Sequence, residues 1–219
     1  MSIFIKASLK HFNKAFAILG MISSLMLLVV ASNAQAKMVS FDEAKNEMSI
    51  GKIDAPVTLH EYASLTCGHC AKFHNTTLPE IKKEYVDTGK VRIVFHDFPL
   101  DNLAKGAVMI ARCAGPERFA DFTSILFETQ HNWRDSNNPL ASLKALVQFY
   151  GVSADEVTTC LTNQGLLDFV QTNRDTASAK HGINSTPTFI VNGKKIEGAQ
   201  PFDVFKKALD KALEKTPAN

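Results

Sequence analysis

Cys67-Gly68-His69-Cys70 constrains this chain more than any other stretch, because of what stands on either side of it. Upstream, Asp54-Ala55-Pro56 is a turn signal, and Val57-Thr58-Leu59-His60-Glu61-Tyr62, rich in β-branched and aromatic residues, reads as a strand. Downstream, a helical pattern opens at the cysteine pair and continues through Phe73; Pro79 is expected to kink or interrupt it before residues 81–85. The two cysteines therefore fall on the first turn of a helix that follows a strand directly.

That placement separates the chemistries open to two cysteines spaced by two residues. A structural zinc site needs further Cys or His ligands at suitable spacing, and Cys113 and Cys160 are each isolated, so no metal is expected. Covalent haem attachment needs a histidine directly after the second cysteine, where this chain has Ala71. A static disulfide across four residues closes too small a loop to stabilise much. Thiol–disulfide exchange fits. At a helix start the first backbone N–H groups lack partners and the dipole is positive, which stabilises a thiolate on Cys67. A lowered pKa makes that sulfur reactive at neutral pH and a good leaving group. Cys70, one turn along and more enclosed, is the natural resolving thiol. Gly68 lets a substrate chain come close, and His69 can stabilise the thiolate by a hydrogen bond or by its own charge.

The first 36 residues read as a leader. Lys6, Lys10 and Lys14 give a basic start, residues 15–30 are uncharged and apolar, and Ala34-Gln35-Ala36 supplies a cleavage pattern, so cleavage is expected after Ala36. An uncleaved anchor is the alternative, but the apolar run is short of the ~20 residues of a spanning helix. Either way the domain that follows is translocated. The chain has 24 basic and 22 acidic residues, and three of the basic ones lie in the leader. The formal charge of +2 is therefore no sign of a nucleic-acid partner.

Residues 37–51 form a mixed lead-in, partly helical around 41–48, and residues 91–95 read as a buried parallel strand. From 101 to about 179 the pattern is helix after helix: 103–113, 116–133, 139–150, a short helix capped by Ser153 with Glu156 at capping-box spacing, and 165–179. Strand character returns at 188–191, Asn192-Gly193 is a hairpin turn, 194–197 is the return strand and 201–215 an amphipathic helix. The order implies an α/β domain from 37–100 and 180–219, split by an all-helical subdomain at 101–179. His60, His74, His96, His131 and His181 show no metal spacing, and most read as ordinary surface or helix-end residues; Trp133 and the phenylalanines read as core.

Three segments carry a family resemblance: residues 61–70 ending in the cysteine pair, Asp97-Phe98-Pro99-Leu100, and Ser185-Thr186-Pro187-Thr188-Phe189. Together they are similar to the DsbA-like oxidoreductases of bacterial cell envelopes, over nearly the whole chain after the leader. The resemblance implies a thioredoxin fold with an inserted all-helical subdomain and no cofactor. It also implies oxidation of thiols in newly exported, unfolded proteins of the periplasm, with re-oxidation by a membrane quinone-linked thiol oxidase. Gly-His between the cysteines departs from the Pro-His of many DsbA proteins and matches protein disulfide isomerase. By resemblance Glu61 is a buried acid below the site, able to exchange a proton with Cys70; from the residues alone it could equally be a strand-edge acid facing water. The resemblance also makes Thr186–Pro187 cis and packs it beside the cysteines, where Thr186 would offer its backbone to an extended client; X–Pro statistics alone favour a trans turn. A disulfide between Cys113 and Cys160 is implied in the same way, in an oxidising compartment. The leading expectation is a dithiol oxidase working through a mixed disulfide on Cys67. The alternatives are an isomerase or reductase of the same compartment and, more remotely, a peptide-binding chaperone without turnover. No dimerisation segment stands ahead of the first strand, so a monomer is expected.

Overall fold

The computed structural model describes residues 38–215, so the expected leader and its cleavage point lie outside the described residues. Among the described residues no helix is long and apolar enough to cross a membrane.

Five strands, β1 (Met48–Ile50), β2 (Val57–Ala63), β3 (Val91–Asp97), β4 (Thr188–Val191) and β5 (Lys194–Glu197), form one sheet in the order β1-β3-β2-β4-β5. β2 and β3 are its parallel centre, with Leu59 opposite Ile93 and Glu61 opposite Phe95. Both are covered on two faces, which is why β3 reads as an almost unbroken apolar run. β4 runs antiparallel to β2, placing Phe189 beside Glu61, and returns through Asn192 and Gly193, both at positive φ, into β5.

One face of the sheet is packed by α2 (Gly68–Thr76) and the closing helix. The Phe73 ring lies 4.4 Å from Phe189 and 5.2 Å from Phe205, centroid to centroid. On the other face Tyr62, Phe98 and Ile183 form a smaller apolar cluster with Ala177. Between β3 and β4 stand six helices: α4 (Asn102–Cys113), α5 (Pro116–Glu128), α6 (Gln130–Arg134), α7 (Pro139–Phe149), α8 (Ala154–Leu161) and α9 (Gln164–His181). α10 (Phe202–Leu213) closes the chain, and its Phe205 and Leu209 are fully buried.

Two local expectations are corrected and one is met. The lead-in is helical only at α1 (Phe41–Ala44) and then extends as β1, which pairs with the open edge of β3 and buries Met48 opposite Phe95. A three-residue strand carries no period of its own; the edge it completes selects it. The helix that opens at the cysteine pair is interrupted as expected: α2 ends at Thr76 and a separate helix starts at Leu78, just before Pro79. Pro79 occupies the first turn of α3 (Leu78–Ile81), where its missing N–H is not needed, and the Ile81 amide still reaches the Thr77 carbonyl. The helix expected over 116–133 ends at Glu128. Thr129 leaves helical geometry and its hydroxyl donates to the Ile125 carbonyl at 2.7 Å, so α6 is a separate helix from Gln130.

The helical insertion is tied to the sheet domain by polar contacts as well as apolar ones. Arg112 of α4 pairs with the buried Asp97 at the end of β3 and donates to the carbonyls of Ala44 and Asn46. Next to it Cys113 is bonded to Cys160 of α8, with 6.4 Å between the Cα atoms and both residues buried. Ser153 and Glu156 form the capping box that starts α8.

Candidate active site

α2 begins at a sulfur. Cys67 is its N-cap, in extended backbone geometry, and the sulfur accepts from the Cys70 amide at 3.4 Å, so this side chain itself satisfies one of the helix's unpaired donors. Gly68 and His69 are exposed, Cys67 is half-buried and Cys70 is fully buried. Both are free thiols.

The two thiols are treated in opposite ways. Cys67 is pulled down from the ordinary thiol value to about 5, first by the hydrogen bond it receives from the Cys70 side chain. Burial opposes this; Thr186 and the amides of Cys70 and His69 add to it. As a thiol, Cys67 donates to the Thr186 carbonyl at 3.3 Å. As a thiolate, it can instead accept from the Thr186 hydroxyl, which has no other hydrogen-bond partner. Cys70 is pushed well above the ordinary range by burial, then by the neighbouring sulfur, with the Glu61 carboxylate adding repulsion. One sulfur is thus held ready to carry charge and the other to carry a proton.

Beneath the pair lies Glu61, completely buried on the central strand and therefore not the water-facing acid its sequence position also allowed. Its Oε1 stands 2.8 Å from Nε2 of His74, itself buried, and neither Glu61 Oε2 nor His74 Nδ1 has a hydrogen-bond partner. His74 therefore corrects the surface reading given to it. The signal that would have found it is its position one turn after Cys70, on the same face of α2. His60 and His96 are corrected too. They join across β2 and β3 through a 3.0 Å contact between Nδ1 and Nε2 on the sheet's other face, and His96 stacks on Tyr62. Among the described residues no group of three or more His, Cys, Asp or Glu is arranged to hold a metal.

Thr186 and Pro187 precede β4 and lie against Cys67; their peptide bond is cis, and the Pro187 carbonyl accepts from Gly198 at 2.8 Å. The turn leading into α2 is closed by the Cys67 amide on the Ser64 carbonyl. Thr66 donates from its hydroxyl to Asp101, the N-cap of α4, at 2.7 Å. Gln130 and Arg134 of α6 reach the same turn, and neither was singled out in the sequence. No spacing connects α6 to the cysteine pair.

A family model described as thioredoxin matches residues 43–211. The chain belongs to the thioredoxin family. Among curated relatives it is 34% identical over 181 residues to a protein of Rickettsia conorii named as a protein-disulfide oxidoreductase, covering 82% of this chain. It spans only 65% of that relative's length. It is 27% identical over 180 residues to disulfide bond formation protein D of Bacillus subtilis, covering 78% of each. Among solved structures it is similar to α-DsbA1 of Wolbachia pipientis, with 30% identity, a TM-score of 0.73 and coverage of 78% of this chain and 92% of that one. Oxidised BdbD of Bacillus subtilis matches with 25% identity, a TM-score of 0.69 and coverage of 81% and 97%. These thioredoxin-family neighbours include DsbA proteins, and the mixed sheet with its helical insertion between β3 and β4 is the DsbA arrangement.

Proposed function

We propose that this chain is an exported thiol–disulfide oxidoreductase acting as a dithiol oxidase on newly exported, unfolded proteins. The observation that carries the reading is the split between Cys67, stabilised as a thiolate down to about pH 5, and Cys70, held as a thiol by burial. A dithiol form stabilised in this way makes the corresponding disulfide a strong oxidant.

The reaction balances as follows. A client thiolate attacks Sγ of Cys67 in the Cys67–Cys70 disulfide, forming the mixed disulfide, and Cys70 leaves and takes up a proton. The client's second thiolate then attacks the client sulfur of that mixed disulfide, and Cys67 departs as a thiolate. The client loses two protons and two electrons; both electrons and one proton stay on the enzyme, as the Cys67 thiolate and the Cys70 thiol, and the other proton goes to solvent. Glu61 is the group placed to pass the proton to Cys70, with His74 as its partner. Gly68 and His69, exposed beside Cys67, leave room for a client chain, and Thr186 with Pro187 provides the main-chain edge on which it lies. Re-oxidation falls to a membrane quinone-linked thiol oxidase, and the protein works in the periplasm as a monomer with its leader removed.

Equilibration with glutathione tests the direction. A Cys67–Cys70 potential between about −120 and −180 mV supports oxidation, and one near about −270 mV would replace this reading with a reductase.

A further inference from the structure

The turn that delivers Cys67 to the head of α2 exposes three consecutive carbonyls to the helical insertion, and two side chains of α6 take all three. Gln130, buried, donates from Nε2 to the Leu65 carbonyl at 2.8 Å and to the Cys67 carbonyl at 3.0 Å. Arg134 donates from Nη1 to the Thr66 carbonyl at 3.1 Å and to Gln130 Oε1 at 2.9 Å, which locks the amide's orientation. Its Nε and Nη2 both donate to the Asp135 carboxylate, so the guanidinium is held in place from both sides. Nη1 lies 3.6 Å from where a Cβ on residue 68 would sit, which puts the cation over the tip of the motif.

We propose that Gln130 and Arg134 are positioning residues for thiol exchange: together they fix the peptide planes of residues 65–67 so that carbonyls point away from the Cys67 sulfur and the amides of His69 and Cys70 point towards it. The inference rests on Cys67 being the attacking thiol.

The physical argument is one of competing dipoles. A four-residue turn has two stable states that differ by rotation of its central peptide, and that rotation reverses the Leu65 carbonyl. A carbonyl swung towards the sulfur would repel a thiolate; one turned into the insertion cannot. The Ser64–Cys67 bond closes the turn but leaves the central peptide free to rotate, so an outside donor must hold it. Gln130 does so from a buried position, where leaving the Leu65 carbonyl unpaired would be costly. The Arg134 charge adds a second, smaller effect: the Cys67 thiolate is among the charges that raise the Arg134 pKa, after Asp135. The helical insertion therefore sets the reactivity of a cysteine carried by the sheet domain.

The test is the pH dependence of Cys67 alkylation in the reduced, full-length exported chain, followed in wild type, Gln130→Met, Arg134→Met and Arg134→Lys. The inference expects both methionine variants to raise the midpoint by about one unit, a tenfold loss of thiolate below it. The rise should persist in 1 M salt, where a bare charge effect is screened within about 3 Å. Arg134→Lys, keeping the charge and one donor, should recover part of it. Folded variants that keep the wild-type midpoint while melting at lower temperature would overturn the inference and leave the pair merely structural. A shift confined to Arg134→Met and abolished by salt would overturn the positioning role as well. A wild-type Cys67 that titrates like a free cysteine would overturn the underlying reading and this inference together, and needs no variant to be seen.

Discussion

Cys67 caps a helix at the surface beside an exposed Gly-His, whereas Cys113 and Cys160 lie inside two helices of the insertion with 0% and 2% exposure. The first pair is two free thiols held at opposite ends of the titration range; the second is already bonded. Sulfur chemistry is the same at both sites. What differs is access and the supply of hydrogen-bond donors: amides, a second thiol and a hydroxyl converge on Cys67, while apolar packing surrounds the other pair. One environment favours an accessible thiolate, and the other encloses a covalent tie between α4 and α8.

The difference breaks most visibly in exchange. Cys67→Ser should reduce oxidation of a dithiol peptide to the uncatalysed background, while Cys113→Ala with Cys160→Ala should leave it close to wild type. A double variant that loses exchange would mean that the pairs are coupled. Stability should respond in the reverse order. The bridge spans a sequence separation of 47, so its removal should lower the unfolding free energy by about 4 kcal/mol on the chain-entropy model, read by urea denaturation. Against the reduced wild type below about pH 5, where Cys67 carries its proton, Cys67→Ser should leave that value nearly unchanged.

Within the exchanging pair the two sulfurs can be separated by their proton. Glu61→Gln keeps the shape and a hydrogen bond to His74 but cannot accept a proton. It should slow the step in which Cys70 resolves a glutathione adduct on Cys67, on the order of a hundredfold, with the alkylation midpoint of Cys67 unmoved. Stopped-flow resolution at wild-type speed would remove Glu61 from the proton path.

Acid sharpens the contrast least, and through neither pair. His96 is held down to about 4 from 6.5, first by burial and then by His60, His181 and Arg112. A depressed pKa means that the fold keeps this ring neutral. Its contribution is complete above about pH 6.5 and is lost as pH falls towards 4. In the oxidised protein, where neither cysteine pair titrates, unfolding free energy should therefore drop by about 2 kcal/mol between pH 7 and 5. His96→Gln should flatten that slope. Cys67 works with the same sign in the reduced protein. Its pKa is lowered in the folded state, so the dithiol form gains stability as pH rises from about 5 towards the ordinary thiol range.

The sequence by itself singled out the cysteine pair at a helix start and most of the order of strands and helices. Those depend on residues close together in the chain: a β-branched strand, a cysteine at the first helical turn, periodic apolar faces, Asn192-Gly193 in a hairpin. Family resemblance supplied the expectations for Glu61, for Thr186–Pro187 and for the second cysteine pair, where spacing alone left alternatives open. Only the tertiary structure decided what each polar group meets. β1 exists because β3 offers it an edge. His60 finds His96 because the parallel register sets those strands side by side, and His74 finds Glu61 because α2 packs its Cys70 face on the sheet. Gln130 and Arg134 meet the turn before Cys67 across 63 to 68 residues, from a helix that begins after a break at Thr129. The reason is one of range. Local patterning selects backbone geometry, but a hydrogen bond across the core depends on where two distant elements finally pack, and no short window of sequence contains both partners.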